Sequence, residues 1–294
     1  MRIVASAPVA GGDVCDAARA TTADGRVVFV KTRVGAPPGF FAAEAAGLDL
    51  LRPYVPVPDV LDAGDDRLVL SWIDHGAPSA AAAEDLGRAL ARLHAAPQRE
   101  FGGGGWIGTL PLDPATGDAW PAWYAEHRLL PFLPSLDASD RAAVEAVAGR
   151  IDDLAGPPEP PSLLHGDLWG GNVLWSAGGP AYLVDPSAHR SHRETDLAML
   201  ALFGLPYLDR VLAAYDEAAP LADGWRERVA LHQLFPLLVH TTMFGGGWGS
   251  RAARLARGLL DADEAVPGAD LGQQVDGVRG LGLDDPAEVA DVEP

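Results

Sequence analysis

Three residues near the middle of the chain have the types and the spacing for chemistry on phosphates. In Leu163-Leu164-His165-Gly166-Asp167-Leu168-Trp169-Gly170-Gly171-Asn172 an Asp and an Asn stand five positions apart in a glycine-rich loop, and Leu183-Val184-Asp185-Pro186 follows. Between them, Val173-Leu174-Trp175 and Ala181-Tyr182-Leu183-Val184 flank the turn Ser176-Ala177-Gly178-Gly179. Two short apolar runs around such a turn are the pattern of a β-hairpin. Antiparallel pairing brings the ends of the hairpin together, so Asn172 and Asp185 should converge beside the loop carboxylate of Asp167. Hard oxygen donors of this kind suit Mg²⁺, which takes one or two carboxylates and keeps phosphates and waters as the rest of its shell. In kinases a loop Asp accepts the proton of the acceptor hydroxyl, an Asn five residues on holds metal, and a later Asp holds the bridging metal. A loop that merely caps a strand needs neither the five-residue spacing nor the second Asp.

Such a site needs a cation for the phosphates and something to hold it. Between Pro8 and Val34 the chain reads as two strands, with Gly11-Gly12-Asp13 interrupting the first and Asp24-Gly25 marking a hairpin turn before Arg26-Val27-Val28-Phe29-Val30-Lys31. Backbone N–H groups of the Gly11-Gly12 turn can lie over phosphates. Phe40 to Leu51 reads as a helix with Phe40, Phe41, Ala45 and Leu48 on one face and Glu44 among them. A carboxylate facing a core needs a cation partner, and Lys31 is the candidate; a Lys–Glu pair of this kind aims the Lys at the α- and β-phosphates.

Val55 to Val60 and Arg67 to Ile73 read as further strands, with Pro56 and Pro58 marking an edge. Helices dominate from Ala77 onward: Ala77 to His94, a short one around Trp120, Asp137 to Leu154, Leu197 to Phe203, and Trp225 to Met243 with a kink expected at Pro236. Phe101 to Gly108 and Phe244 to Trp248 read as flexible glycine-aromatic loops. The expected organisation is a β-rich lobe over residues 1–73, an α-rich lobe over 74–266 and an acidic, disordered tail over 267–294, with the ligand cleft at the lobe junction. His189 and His192 do not make a zinc site on this pattern, for want of Cys and of a closing ligand pair.

The 294 residues carry a net charge of −19 and 48% hydrophobic residues, the make-up of an ordinary globular protein. That charge argues against nucleic-acid and anionic-membrane partners, which require basic patches. Much of the excess lies from Asp261 to Pro294, where ten acidic residues face only Arg279. No run of about twenty apolar residues could span a membrane. The start lacks a signal-peptide core, and the single cysteine, Cys15, precludes an intramolecular disulfide. A cytoplasmic location is expected.

The motif His165-Gly166-Asp167-Leu168-Trp169-Gly170-Gly171-Asn172 resembles that of the fructosamine kinase (ketosamine-3-kinase) family. Trp169 is what sets it apart from the related aminoglycoside phosphotransferases. The similarity extends to Asp185-Pro186, to Arg193 to Met199, and to Leu90 to His94. It continues in Trp106 to Gly108, Arg128 to Pro131 and Phe244 to Gly246. The resemblance implies an α+β, bilobal protein-kinase-like fold with a small β-rich N-lobe and a larger α-helical C-lobe. It implies ATP-dependent phosphorylation, with Mg²⁺, of the 3-hydroxyl of a ketosamine, either a small molecule or a glycated lysine. A monomer is expected over a dimer, with the sequence leaving oligomeric state open. Carried over residue by residue, Asp167 is the catalytic base. Asn172 and Asp185 hold the metal, while Lys31 with Glu44, under the Gly11-Gly12 loop, holds the phosphates. Backbone at Ser71, Trp72 and Ile73 reads adenine, although Ser71-Trp72 replaces the usual Glu-Tyr. Trp169 and Glu194 contact the substrate, with the Phe244 to Trp248 loop nearby. His165 and Asp196 support the catalytic loop. Cys15 lies two positions later than the loop cysteine of some members and reads as a small buried hydrophobe.

Two other readings use the same residues. A phosphotransferase acting on another small hydroxyl compound, such as an aminoglycoside, is disfavoured by Trp169 and by the lack of an acidic run beyond the catalytic loop to hold a polycation. A nucleotide-binding pseudokinase scaffold is disfavoured because Lys31, Glu44, Asp167, Asn172 and Asp185 are all intact.

Overall fold

The computed structural model of the chain describes residues 1–9 and 14–264. The Gly11-Gly12 turn and the acidic stretch 267–294 therefore lie outside the described residues.

Strands β1 (Ile3–Pro8), β2 (Asp16–Thr22) and β3 (Val27–Thr32) open an antiparallel sheet. The strand pair expected before Val34 is β2–β3, and β1 adds an edge strand that the sequence pattern did not announce. Helix α1 (Phe40–Leu51) follows with the expected bounds, and β4 (Val60–Ala63) and β5 (Arg67–Ser71) complete the sheet in the order β1-β2-β3-β5-β4. The period of two along β3 buries Val28 and Val30 against Ala20 and Val69, which turns Phe29 and Lys31 to the opposite face. The strand expected from Val55 begins only at Val60. Pro56 and Pro58 have no N–H to give a ladder; instead the Pro56 carbonyl accepts from Leu183 N–H at 2.9 Å.

Beyond Ser71 the chain is mostly helical. Helix α2 (Ala80–His94) starts three residues later than its apolar stripe suggests, because Ser79 caps it by accepting from Ala82 N–H. The supposed loop around Phe101 is instead a set of short strands: β6 (Phe101–Gly102), β7 (Gly105–Ile107), β8 (Leu110–Leu112) and β9 (Thr116–Gly117). Its glycines serve close approach. Gly102 has φ 132°, and a Cβ there would stand 2.7 Å from the Ala115 carbonyl oxygen. Helix α3 (Trp120–Tyr124) runs on into a π-helical turn over Ala125–Leu129 and a 3₁₀ turn over Leu130–Ser135. The single helix expected over 137–154 is split into α4 (Ala138–Gly149), capped by Asp137, and α5 (Ile151–Leu154). The break at Arg150 directly follows Gly149, a poor helix former.

Strand β10 (Ser162–Leu164) leads into the glycine-rich loop, β11 (Val173–Trp175) and β12 (Ala181–Leu183) form the expected hairpin, and β13 (His189–Ser191) pairs with β10. Helices α6 (Glu194–Phe203), α7 (Leu208–Ala218), α8 (Trp225–Phe244) and α9 (Trp248–Glu264) finish the fold. Helices α7 and α9 are not among those the sequence pattern predicts. Pro236 lies inside α8, which runs without a break from Trp225 to Phe244.

Besides the small cluster of Val28 and Val30 within the sheet, two larger apolar cores form among the described residues. One joins Leu48 and Leu51 of α1 and Leu70 of the sheet to Leu90 of α2, Leu168 and Leu183, and so crosses the lobe junction. The other lies within the helical part, around Trp120, Tyr124, Leu234 and Phe235. Among the described residues no helix is long and apolar enough to cross a membrane.

Candidate active site

Strand β10 delivers the chain to the loop, and the hairpin returns it. Val173 pairs with Leu183, and Val184 N–H donates to the Asn172 carbonyl at 3.1 Å, so the Asn172 and Asp185 ends meet as the alternation required. The Asn172 amide nitrogen donates to the Asp167 carbonyl oxygen at 2.8 Å and to its carboxylate at 3.1 Å. That leaves the Asn172 side-chain oxygen as a free acceptor.

The loop is braced from beneath. The buried carboxylate of Asp196, on α6, accepts from His165 N–H at 2.7 Å and from Gly166 N–H at 3.0 Å. It also lies 3.2 Å from His94 Nε2, whose Nδ1 is 2.9 Å from the Tyr215 hydroxyl. With Nε2–H donating to the carboxylate, Nδ1 is left to accept from Tyr215. Burial opposes the Asp196 charge, but the His94 hydrogen bond and neighbouring donors hold its carboxyl below the usual value. His165 reaches the other way. Its Nε2–H donates to the Val184 carbonyl at 2.9 Å, while Nδ1 accepts from Asp167 N–H at 3.3 Å. Burial holds the ring neutral. Gly166 has φ 82°, and a Cβ there would sit 2.1 Å from the Ser187 carbonyl oxygen, so no other residue fits this turn.

Lys31 on β3 lies between two carboxylates, 3.0 Å from Glu44 Oε2 and 2.9 Å from Asp185 Oδ2. Burial alone would favour its neutral form, but the two acids raise its pKa and keep it charged. One cation then faces two acids, Glu44 buried and Asp185 half-buried. Burial and the nearby Asp185 push the Glu44 carboxyl up, whereas Lys31 holds Asp185 down against its own burial. Asp167 is pushed up to about 7, chiefly by burial and then by Asp185. Asp185 has φ 54°, a left-handed backbone uncommon outside glycine, of the kind found at functional sites. The Asp185 carboxylate and the free Asn172 oxygen are hard donors of the type Mg²⁺ takes. These donors fit that ion.

The fructosamine kinase family model matches residues 1–262. The chain belongs to the fructosamine kinase family. A probable ketoamine kinase of Enterococcus faecium is 35% identical over 261 residues, covering 84% of this chain and 92% of that protein. A chloroplastic protein-ribulosamine 3-kinase of Oryza sativa subsp. japonica is 30% identical over 260 residues, covering 82% and 75%. Among solved structures, a Thermobifida fusca protein provisionally named a fructosamine-3-kinase superposes with TM-score 0.83 at 46% identity, covering 88% and 94%. An aminoglycoside phosphotransferase at 18% identity and TM-score 0.62 shares the fold. The bilobal α+β arrangement is thus the protein-kinase-like fold, and this fructosamine kinase family member is a phosphotransferase.

The remaining predicted residues of the family motif fall in different places. Trp169 is 40% exposed beside the catalytic loop, with its ring edge-on to Phe203 and folded over Gly171. Phe203 continues this aromatic wall to His240 and Trp248. Glu194, expected to touch substrate, is not brought to this cluster. It is 2% exposed and paired through both oxygens with Arg228, at 2.6 and 3.0 Å. Being the first residue of α6, it points inward with the helix's buried face rather than toward the loop. In the hinge segment, Ser71 N–H donates to the Asp59 carbonyl and its hydroxyl accepts from Asp59 N–H. The Trp72 ring stacks on His75 with Arg19 over it. Cys15 is half-buried against the inter-lobe core, and burial raises its thiol pKa.

His192, Glu194 and His232 place nitrogen and oxygen atoms within 4.8 Å of one another. His192 Nδ1 accepts from Glu194 N–H at 3.2 Å, and burial keeps the ring neutral. Both Glu194 oxygens of this group are already engaged by Arg228. Sequence reasoning missed His94 and Tyr215 as supports of Asp196. The available signal was a histidine beside Leu90 and Leu93, the buried stripe of α2.

Proposed function

We propose that this chain transfers the γ-phosphoryl group of ATP to the 3-hydroxyl of a ketosamine, the adduct of a sugar with a free amine or a lysine side chain. The observation that carries this reading is the convergence of Asp167, Asn172, Asp185 and Lys31 in a member of the fructosamine kinase family. Asp167 orients the sugar hydroxyl and takes its proton as the oxygen bonds to the γ-phosphorus and ADP departs. Lys31, kept charged by Glu44, holds the α- and β-phosphates. Asn172 and Asp185 would hold Mg²⁺, which supplies neutralising charge on the phosphates when bound. With Ser71 committed to Asp59, the backbone of Trp72 and Ile73 is left to read adenine. Trp169 offers an exposed ring for the ketosamine, and the names of the Thermobifida fusca and rice proteins support a 3-hydroxyl acceptor.

The test is ADP release with Mg·ATP against fructosyl-lysine, ribulosyl-lysine and an aminoglycoside, with Asp167→Asn as control. Turnover on a ketosamine that disappears in the variant is the expected result. Turnover on the aminoglycoside alone would overturn the acceptor class and leave the phosphotransferase intact.

A further inference from the structure

We propose that Trp106 is a positioning residue that keeps Glu44 on Lys31, through a strap formed by residues 103–107. The inference rests on the phosphate-holding role proposed for Lys31, and it concerns how that role is maintained.

The strap is fixed at its start by a buried cation. Arg128, in the π-helical turn, donates from Nη2 to the Gly103 carbonyl at 3.0 Å and from Nη1 to the His127 carbonyl at 2.9 Å. Its guanidinium lies 4.4 Å from the Trp123 ring centroid. From that anchor β7 runs toward the lobe junction, and its period of two sends successive side chains into different cores. Ile107 is buried in the helical core, whereas Trp106 packs against the inter-lobe core. There the Trp106 ring meets Phe40 of α1 with centroids 5.7 Å apart, and Phe40 in turn meets Phe41 edge-on at 5.1 Å.

The main chain of the strap also grips the metal loop. Ser187, two residues after Asp185, donates its hydroxyl to the Trp106 carbonyl at 2.8 Å. The same post-Asp185 segment supports α1 from another side: a Cβ on Gly47 would stand 3.1 Å from Pro186 Cγ. Helix α1 is therefore held at Phe40 by Trp106 and at Gly47 by Pro186, with Glu44 between. That grip holds Glu44 where its carboxylate meets Lys31 at 3.0 Å. Kinases that regulate by swinging the corresponding helix lose this pair in their inactive state; here the helix is bound to the larger lobe on either side of Glu44.

The experiment compares Trp106→Ala, Trp106→Phe and Ile107→Ala with the unaltered full chain. The first readout is amide hydrogen exchange over residues 40–51 without ligand, which needs no activity. Trp106→Ala should raise exchange in α1 at least tenfold, Trp106→Phe should restore most of the protection, and Ile107→Ala should leave α1 protected while loosening the helical core. The second readout is steady-state kinetics, where Trp106→Ala should raise the KM for ATP about five- to tenfold with the ketosamine KM little changed. Unchanged α1 exchange in Trp106→Ala, or equal loosening of α1 by Ile107→Ala, would overturn the proposal. If the unaltered chain phosphorylates no ketosamine, it is the acceptor reading that fails, and the exchange comparison still decides the strap.

Discussion

The side-chain amide of Asn172 donates to Asp167 twice, to its main-chain carbonyl at 2.8 Å and to its carboxylate at 3.1 Å. One residue thus orients the proposed base and keeps its own side-chain oxygen free of it. The arrangement has a cost, because Asp167 is half-buried and close to a second carboxylate.

That cost gives the first prediction. The Asp167 pKa is raised from 3.8 to about 7, so the folded chain binds a proton that the unfolded chain releases, and stability falls as pH rises through this window. Asp167→Asn removes the strained charge and keeps an acceptor for Asn172. Its melting temperature at pH 8 without Mg²⁺ should rise by about 3–8 °C, while turnover falls by about 10²–10⁴. The gain should vanish near pH 4. A variant that melts lower than the wild type at pH 8 would contradict the burial argument.

Glu194 shows the opposite sign. Burial disfavours its charge, but hydrogen bonds from His232 and Arg228 pull its pKa from 4.5 to about 2. Its contribution is therefore complete above about pH 4.5 and is lost as pH falls toward 2; the difference corresponds to roughly 3 kcal/mol. Glu194→Gln leaves the Arg228 guanidinium buried without its partner, which should cost about 3–5 kcal/mol at pH 7. Urea denaturation at pH 6 and pH 3 checks both statements, since the gap between wild type and variant should narrow at the lower pH. Equal gaps would show that the pair is not linked to protons.

The chemistry was more legible in the sequence than its supports. The Asp167–Asn172 spacing and the hairpin pattern depend on local periodicity, and both are found as expected. The Lys31–Glu44 pair was legible because a carboxylate on an apolar helix face demands a partner. What escaped notice depends on contacts between distant segments. His94 and Tyr215 meet across 121 positions, and no local pattern reports such a pairing. Glu194 was misread for the same reason, because Arg228, 34 residues away, decides which way it points. The glycines near Phe101 looked like flexibility, yet they allow strand backbones to touch.

His94 tests the bracing of the catalytic loop. Its Nε2 lies 3.2 Å from an Asp196 carboxylate that also holds the N–H groups of His165 and Gly166. His94→Ala removes a buried donor and leaves a cavity, which should destabilise by about 2–4 kcal/mol and lower kcat more than it changes either KM. His94→Gln, which keeps a nitrogen donor of similar reach, should recover much of the rate. Loss of stability with kcat untouched would make His94 a packing residue only.

Gly171 offers a way to disturb the acceptor side alone. The Trp169 ring lies across it so closely that a Cβ would fall 2.2 Å from the ring, and the displaced ring would lose its edge-on contact with Phe203, now at 5.9 Å between centroids. Gly171→Ala should therefore swing Trp169 out of place without touching Lys31 or Asp185. The KM for ketosamine should rise by about tenfold, equivalent to about 1.4 kcal/mol, with the KM for ATP close to wild type. Trp169→Ala should give the same pattern, and the double variant should be no worse than the worse single, because both remove one ring from one place. Additive losses would mean that Gly171 acts on the metal loop through Asn172 and that the ring is not the acceptor contact.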